Sequence, residues 1–481
     1  MRKKKFYITT AIPYVNAPPH CGHALEFVQA DVIARYHRQK GEDVLFLSGS
    51  DENALKNVQA AKAERVPLQQ FINKNAKLFI ELAEKLNVRF DVFQKGSSKE
   101  HHLSSQKLWF LCDKAGDIYK KGYKGLYCVG CEAFYTREEL DERQECFEHP
   151  GKKLDEVSEE NYFFKLSRYQ EKIIDLLRKD KVRVIPESRK NEVLSFLKQP
   201  LLDLSISRSN ERAKNWGVSV PGDKSQKAYV WFDALNIYQS GIGFGLNEKK
   251  YKRWWPADLH VIGKGITRFH AVYWPAFLLS ARLALPKGIF VHGYLTVGGQ
   301  KMSKTIGNVV DPFELVKKYG TDAVRYFLLR EIPATEDGDF TYEKFEKRYN
   351  ADLAGGLGNL VARVITMAKN HKLKTQNSKQ VQKPKLKTTI KETWDNYRKA
   401  VDEFKFNEAL AAVWELIGFC DRYIEEEQPW KESERQEEVI GNLLLVISQI
   451  AEMLKPFLPG TSDKIIEQLK SKKPKALFPR L

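Results

Sequence analysis

The first fifty residues restrict the fold more than any other stretch. Residues 6–10 read as a buried strand, and a Pro-rich loop follows over 11–19. A helix with apolar Leu25, Val28, Val32 and Tyr36 then runs from about Gly22 to Lys40-Gly41, and residues 44–47 read as a second strand. Strand, helix, strand at this spacing implies a parallel sheet with helical crossovers, since a tight hairpin cannot join parallel neighbours.

The rhythm breaks near Gly116 and resumes at Ala228-Tyr229-Val230-Trp231, at 259–263 and at 289–293. One Rossmann-type nucleotide-binding domain split by an insertion accounts for this. After about Asn350 the strand pattern disappears. Phe406, Leu410, Val413, Ile417, Cys420 and Ile424 recur at helical spacing, as do Leu443, Val446, Ile450, Leu454 and Phe457, which predicts a helical bundle. The expected divisions are 1–115 and 227–349 for the two halves of the α/β domain, 116–226 for the insertion and 350–481 for the bundle. Residues 369–391 are basic and contain Pro384; they read as a solvated loop, with direct RNA contact as the minority alternative.

The net charge of +17 over 481 residues favours a polyanionic partner, although solubility alone would also explain it. Six cysteines are too few for a disulfide scaffold in so long a chain. The basic start Met1-Arg2-Lys3-Lys4-Lys5 lacks the apolar core of a signal peptide, and residues 439–458 carry too many polar side chains for a membrane span. A soluble cytoplasmic protein with no membrane association is expected.

Two motifs carry the chemistry. His20-Cys21-Gly22-His23 lies between a strand and a helix, where free backbone N–H groups and the positive helix end suit phosphate. Gly22 lets a nucleotide approach bare backbone, and two histidines three apart can donate to phosphoryl oxygens. Lys301-Met302-Ser303-Lys304-Thr305 follows Gly298-Gly299 and reads as a mobile loop whose lysines can close over a triphosphate. Taken singly, a His-x-Gly-His can be a core pair and two loop lysines can be merely solvated; both in this order within an α/β pattern are harder to dismiss. A third motif, Cys128-x2-Cys131 with Cys146-x2-His149, offers three thiolates and an imidazole, the donor set of a closed structural Zn²⁺ site.

The pair of phosphate motifs resembles the hallmark motifs of class I aminoacyl-tRNA synthetases. The segments between them narrow the likeness to the methionyl-tRNA synthetase family. They are Ala11-Ile12-Pro13-Tyr14-Val15-Asn16, Gly49-Ser50-Asp51-Glu52, Tyr127-Cys128-Val129-Gly130-Cys131, Asn191-Glu192-Val193-Leu194-Ser195-Phe196, Leu204-Ser205-Ile206-Ser207-Arg208, Val230-Trp231-Phe232-Asp233-Ala234-Leu235 and His292-Gly293-Tyr294. The likeness covers residues 6–481.

The resemblance implies a ligase that activates L-methionine with ATP, releasing pyrophosphate, and transfers it from methionyl-adenylate to the 3′ end of tRNA(Met) for translation. It implies catalytic roles for His20, His23, Lys301 and Lys304, and ATP contacts from these with Gly22, Gly263 and His292. Mg²⁺ would arrive with ATP. The methionine pocket would comprise Ile12, Tyr14, Asp51, Trp231, Ala234, Leu235, Tyr238, Ile266, His270 and Trp274, with Asp51 receiving the ammonium. Without the resemblance Asp51 could equally cap a turn, and Trp231 and Trp274 would be core residues. An all-α anticodon-binding bundle would read tRNA through Asn359, Arg363 and Trp430. One methylene in an apolar pocket is worth only about 1–3 kcal/mol, so homocysteine is an expected competitor. A chain that stops at Pro479-Arg480-Leu481 lacks the extra C-terminal domain of longer relatives and is expected to be a monomer.

Three positions depart from the family pattern. Gly265 stands where an acidic residue commonly contacts the ribose of ATP; Asn53-Ala54 replaces a usual His-Gly pair; Thr305 replaces a serine. Two rivals stand beside the synthetase reading. A small-molecule nucleotidyltransferase would not need the bundle or the cysteine motif. A non-catalytic RNA-binding derivative would be expected to lose the histidines or lysines, and all four are present.

Overall fold

The computed structural model describes residues 3–128, 133–135, 137, 140–146, 151, 153–301, 309–370, 383–431 and 435–481. The elements that position the site are, in chain order, strand β1 (Lys5–Thr10), helix α1 (Cys21–Gln39), strands β2 (Asp43–Ser50) and β3 (Val92–Lys95), helix α2 (Lys99–Lys114), strands β4 (Arg183–Ile185), β5 (Leu259–Gly263) and β6 (Gly288–His292), and helices α3 (Thr321–Arg330), α4 (Asn359–Asn370), α5 (Pro384–Asp402), α6 (Phe406–Glu427), α7 (Gln436–Leu454) and α8 (Pro459–Ser471). The chain forms two compact units. The first holds Met1–Pro19, Gly41–Glu81 and Arg89–His292; the second holds His20–Lys40, Leu82–Val88 and Gly293–Leu481.

The first unit is built on a six-stranded parallel sheet of order β3-β2-β1-β5-β6-β4. Strand order reverses between β1 and β5, which makes that point the crevice of an open α/β sheet. Tyr7, Ile8, Thr9 and Thr10 of β1 are all buried, as a central strand covered on both faces must be. The threonine hydroxyls are satisfied internally: Thr9 Oγ1 lies 2.7 Å from His260 Nδ1, and Thr10 Oγ1 donates to Ser48 Oγ at 2.7 Å. The sixth strand, β4, lies within residues read from sequence as insertion, and pairs with β6 through Gly288↔Arg183 to Phe290↔Ile185. The same stretch also contains a long antiparallel ribbon, Ile118–Cys128 against Asp155–Phe164, flanked by Ala133–Tyr135 and Leu204–Ser205.

Residues 228–231 do not continue the α/β rhythm as a parallel strand. Ala228 ends the antiparallel strand Asp223–Ala228, and Val230–Ala234 is a turn of helix. A short apolar run gives the same pattern in a buried strand and a buried helix, and here the helix won.

In the second unit, every periodic residue expected to form the bundle core is buried on α6, α7 or the turn after α7. Residues 384–391, read as loop, are instead the start of α5: Pro384 sits at the first helical position, where its missing N–H costs nothing. Residues 371–382 of that stretch lie outside the described residues. Arg325 of α3 is fully buried and binds α1 to the bundle. Its Nε and Nη2 donate to the carbonyls of Phe457 and Pro456 at 2.7 and 2.9 Å, and Nη1 lies 2.9 Å from Asp31 Oδ2. Arg35 Nε meets the same carboxylate oxygen at 2.6 Å. Among the described residues, no helix is long and apolar enough to cross a membrane.

Candidate active site

The pocket residues of the first unit stand at the carboxyl ends of β1, β2 and β5 or on segments that pack beside them. The loop after β1 is tied to the end of β2: Asp51 N donates to the Pro13 carbonyl at 2.8 Å, and Tyr14 and Asp51 form a parallel bridge. Asp51 is 4% exposed. Its carbonyl accepts from Asn57 Nδ2 at 2.9 Å, and its Oδ1 accepts the main-chain N–H of Asn53 at 3.3 Å. A carboxylate withdrawn from water at the edge of an open sheet is suited to a cationic ligand group.

The apolar part of the site is aromatic. Ile12, Tyr14, Ile266 and Phe269 pack against a cluster that includes Trp231, Leu235, Tyr238 and Trp274, and Ala234 is buried on the helix of Trp231. Trp231 stacks on Phe269 with ring centroids 3.7 Å apart and planes 4° from parallel, and meets Tyr14 edge-on at 6.3 Å. Sequence reasoning did not single out Phe269, since its stack on Trp231 joins two segments that no local pattern connects.

Tyr238 Oη lies 2.7 Å from His270 Nε2, and His270 Nδ1 lies 2.9 Å from the Ile266 carbonyl. A carbonyl only accepts, so Nδ1 carries the proton; burial pushes the imidazole down to about 4, so it is neutral and its Nε2 accepts from the Tyr238 hydroxyl. The Tyr238 and His270 protons are thus both committed. His270 sits in a wide π-type turn, Phe269–Tyr273, ahead of the helix Trp274–Ser280. Pro275 explains the widening, since it has no N–H to give and its ring would meet the carbonyl of residue 271 in a regular helix.

At the ends of β5 and β6, Gly263 pairs in register with His292. A Cβ on Gly263 would rest against His292 Cε1 at 3.5 Å, an ordinary contact, so the ring lies directly over the glycine. The turn Lys264–Ile266 follows directly, and Gly265 brings no carboxylate to it.

In the second unit, His20 caps α1. Its Nδ1 accepts the Gly22 N–H at 3.0 Å, while His23 Nδ1 accepts the His20 N–H at 3.1 Å. The two histidines reproduce a capping box, with imidazoles in place of hydroxyl and carboxylate. A nitrogen that accepts carries no proton, so each neutral ring keeps its hydrogen on Nε2. The ring centroids are 4.0 Å apart. The rings stand at the positive end of a helix whose first turn has no acidic residue, a setting compatible with an anion.

Lys301 ends a tight hairpin, Leu295–Val297 with Gln300–Lys301. Gly298 and Gly299 have φ of 61° and 75°, the turn that glycine allows and that matches strand twist. Gly299 N and Thr296 Oγ1 donate to Asp339 Oδ1 at 2.8 and 2.9 Å. The glycines expected to loosen this loop therefore form an anchored turn. Lys304 and Thr305 lie outside the described residues.

Of the cysteine motif, Cys128 ends the strand Ile118–Cys128 and Cys146 lies 3.5 Å from Tyr135 Oη; both thiols are buried. Cys131 and His149 lie outside the described residues. In the bundle, Asn359 opens α4 and is exposed, with Arg363 one turn later. Arg363 Nη2 lies 2.8 Å from Glu425 Oε1 and Nη1 3.6 Å from Asp421 Oδ1. Ala362, Arg363, Thr366, Met367 and Trp430 line a shallow depression of about 390 Å³. Helix α6 stops at Gln428 in the left-handed conformation, Pro429 follows, and Trp430 is left 49% exposed.

Residues 6–365 match the model of the tRNA synthetases class I (M) family, and residues 385–479 that of the anticodon-binding domain of tRNA ligases. The methionine--tRNA ligase of Brucella suis is 41% identical over 98% of this chain and 92% of its own length. That of Thermotoga maritima is 41% identical over 97% of this chain and 75% of its own. The Mycobacterium tuberculosis methionyl-tRNA synthetase in complex with methionyl-adenylate superposes with a TM-score of 0.92 at 38% identity, covering 99% of this chain and all of that one. A family model spanning most of the chain, relatives alike over nearly its whole length, and the sheet and bundle described above lead to one conclusion: this chain belongs to the methionyl-tRNA synthetase family of class I tRNA synthetases.

Proposed function

We propose that the chain is an ATP-dependent methionine--tRNA ligase acting on L-methionine, ATP and tRNA(Met). The observation that carries this reading is the buried Asp51 carboxylate beside an aromatic site, Trp231, Phe269, Tyr238 and Trp274, whose polarisable faces suit a flexible thioether. The ammonium of methionine pairs with Asp51, and its carboxylate attacks the α-phosphorus of ATP. The bond to the β-phosphate bridging oxygen breaks, and pyrophosphate leaves with Mg²⁺. A ribose hydroxyl at the tRNA 3′ end then attacks the adenylate carbonyl, loses its proton, and releases AMP. His20 and His23 donate Nε2–H to phosphoryl oxygens, and Lys301 and Lys304 stabilise the charge that grows on them. Gly22, Gly263 and His292 leave space for the nucleotide. Methionine-dependent exchange of pyrophosphate into ATP is the direct test of the first half-reaction.

Zn²⁺ belongs to this reading as a structural ion held by Cys128, Cys131, Cys146 and His149. Two of these donors are described, and both are buried thiols on either side of the short strand Ala133–Tyr135, which fits a soft closed site. Zinc would fix the fold of the insertion and take no part in the chemistry. Elemental analysis of the purified protein is expected to give one zinc per chain, and chelation to increase proteolysis within the insertion. Protein free of zinc with an intact insertion would remove the ion from the account.

Asn359, Arg363 and Trp430 are assigned to the anticodon, with Trp430 stacking on a base. Trp430→Ala is expected to lower kcat/KM for tRNA charging by roughly tenfold to a hundredfold, the scale of one lost base stack, and to leave pyrophosphate exchange unchanged. Equal losses in both assays would reject the assignment. The buried thiols Cys21, Cys112 and Cys420 suit the reducing cytoplasm. The acting unit is proposed to be a monomer.

A further inference from the structure

Behind Asp51 lies a buried polar cluster that neither half-reaction uses. Asn53 is 5% exposed, and its amide nitrogen donates twice, to Asp233 Oδ2 at 2.6 Å and to the Gly96 carbonyl at 2.8 Å. Two acceptors on one side fix which end of the amide is nitrogen. The main-chain N–H of the same residue donates to Asp51 Oδ1 at 3.3 Å. Asp233 Oδ1 lies 2.5 Å from His101 Nε2 and accepts from Ser105 Oγ at 3.0 Å, while His101 Nδ1 lies 2.8 Å from Ser240 Oγ. His101 and Ser105 come from one buried face of α2, capped by Ser98. Asp233 sits on the same short helix as Trp231 and Ala234. The cluster therefore links the residue beside the Asp51 carboxylate to the helix that carries the aromatic wall.

We infer that Asn53 is a positioning residue for the reaction: its side-chain amide anchors the turn after β2 to the buried Asp233–His101 pair and so fixes the Asp51 carboxylate where it meets the substrate ammonium. Burying a carboxylate and an imidazole together is expensive unless every partner is in place, and a packed apolar cluster would hold the fold as well. What such a network adds is a single geometry, and an error near 1 Å at a binding group is enough to matter. Burial pushes the Asp233 carboxyl up, but His101, His102 and the Asn53 amide outweigh it and hold the group below its ordinary range. The anchor is thus a charged acceptor, and a hydrogen bond to it is stronger than one between neutral groups.

The inference rests on the assignment of Asp51 to the ammonium, and the test separates the two. Two ligands divide the substrate: L-methioninol keeps the ammonium and loses the carboxylate, and 4-(methylthio)butanoate does the reverse. Their affinities are measured by calorimetry on the full chain, wild type, Asp51→Asn and Asn53→Ala. Asn53→Ala is expected to weaken methioninol about tenfold, the scale of one hydrogen bond to a charged group, and to leave the butanoate within twofold. In exchange assays it should raise KM for methionine by a similar factor and leave KM for ATP unchanged. Equal weakening of both ligands means a general loss of pocket structure, and no weakening means no role; either overturns the inference. If Asp51→Asn leaves methioninol binding intact, the ammonium assignment itself fails. Should Asn53→Ala not fold, Ser105→Ala removes one donor from the same carboxylate. It is expected to weaken methioninol by a few-fold and spare the butanoate, and a non-selective or null result there overturns the inference equally.

Discussion

Replacing Asp51 by Asn is expected to lower kcat/KM for methionine in ATP–pyrophosphate exchange by about 10²–10⁴ while leaving KM for ATP within a factor of about two. The size follows from leaving one charge of a desolvated pair without its partner, which costs about 3–5 kcal/mol, at roughly 1.4 kcal/mol per tenfold. The variant keeps the shape of the site. Asn retains an oxygen to accept the Asn53 N–H, and the main-chain bonds to Pro13 and Asn57 do not involve the side chain. The melting temperature should therefore change little, and most of the loss should appear in KM. A loss of less than about fivefold would mean that the ammonium is held elsewhere.

The second large effect is expected at His20. As a helix cap the residue needs only an acceptor toward Gly22 N, which asparagine supplies; as a phosphate donor it needs the Nε2–H, which asparagine lacks. His20→Asn thus separates the two roles. The exchange rate is expected to fall by about 10²–10³, the scale of one lost donor in a preorganised anion site, with the unfolding midpoint and methionine affinity near those of wild type. A folded variant of full activity would confine His20 to capping.

How much of this was readable in the sequence differs from element to element. The central strands were plain because β1, β5 and β6 are buried on both faces and so are nearly continuously apolar. The bundle was plain because its core residues repeat at helical spacing. Strand β4 was not, since three residues carry no periodicity and its partner β6 lies about a hundred residues on. Val230-Trp231 was misread because a run that short fits a strand or a helix equally. The Gly298-Gly299 turn looked loose because the carboxylate that anchors it, Asp339, is distant in sequence. The site divides in the same way. His20 and the cysteines stand in local motifs, and Asp51 and Trp231 are assigned through the family resemblance. Phe269 and the Asn53–Asp233–His101 cluster depend on contacts between distant segments, which no local pattern announces.

ATP–pyrophosphate exchange with each of the twenty amino acids in turn, without tRNA, reads out which amino acid the enzyme activates. Exchange is expected to saturate with L-methionine and to stay at background with the other nineteen. No exchange with methionine, or faster exchange with another amino acid, would contradict the proposed function.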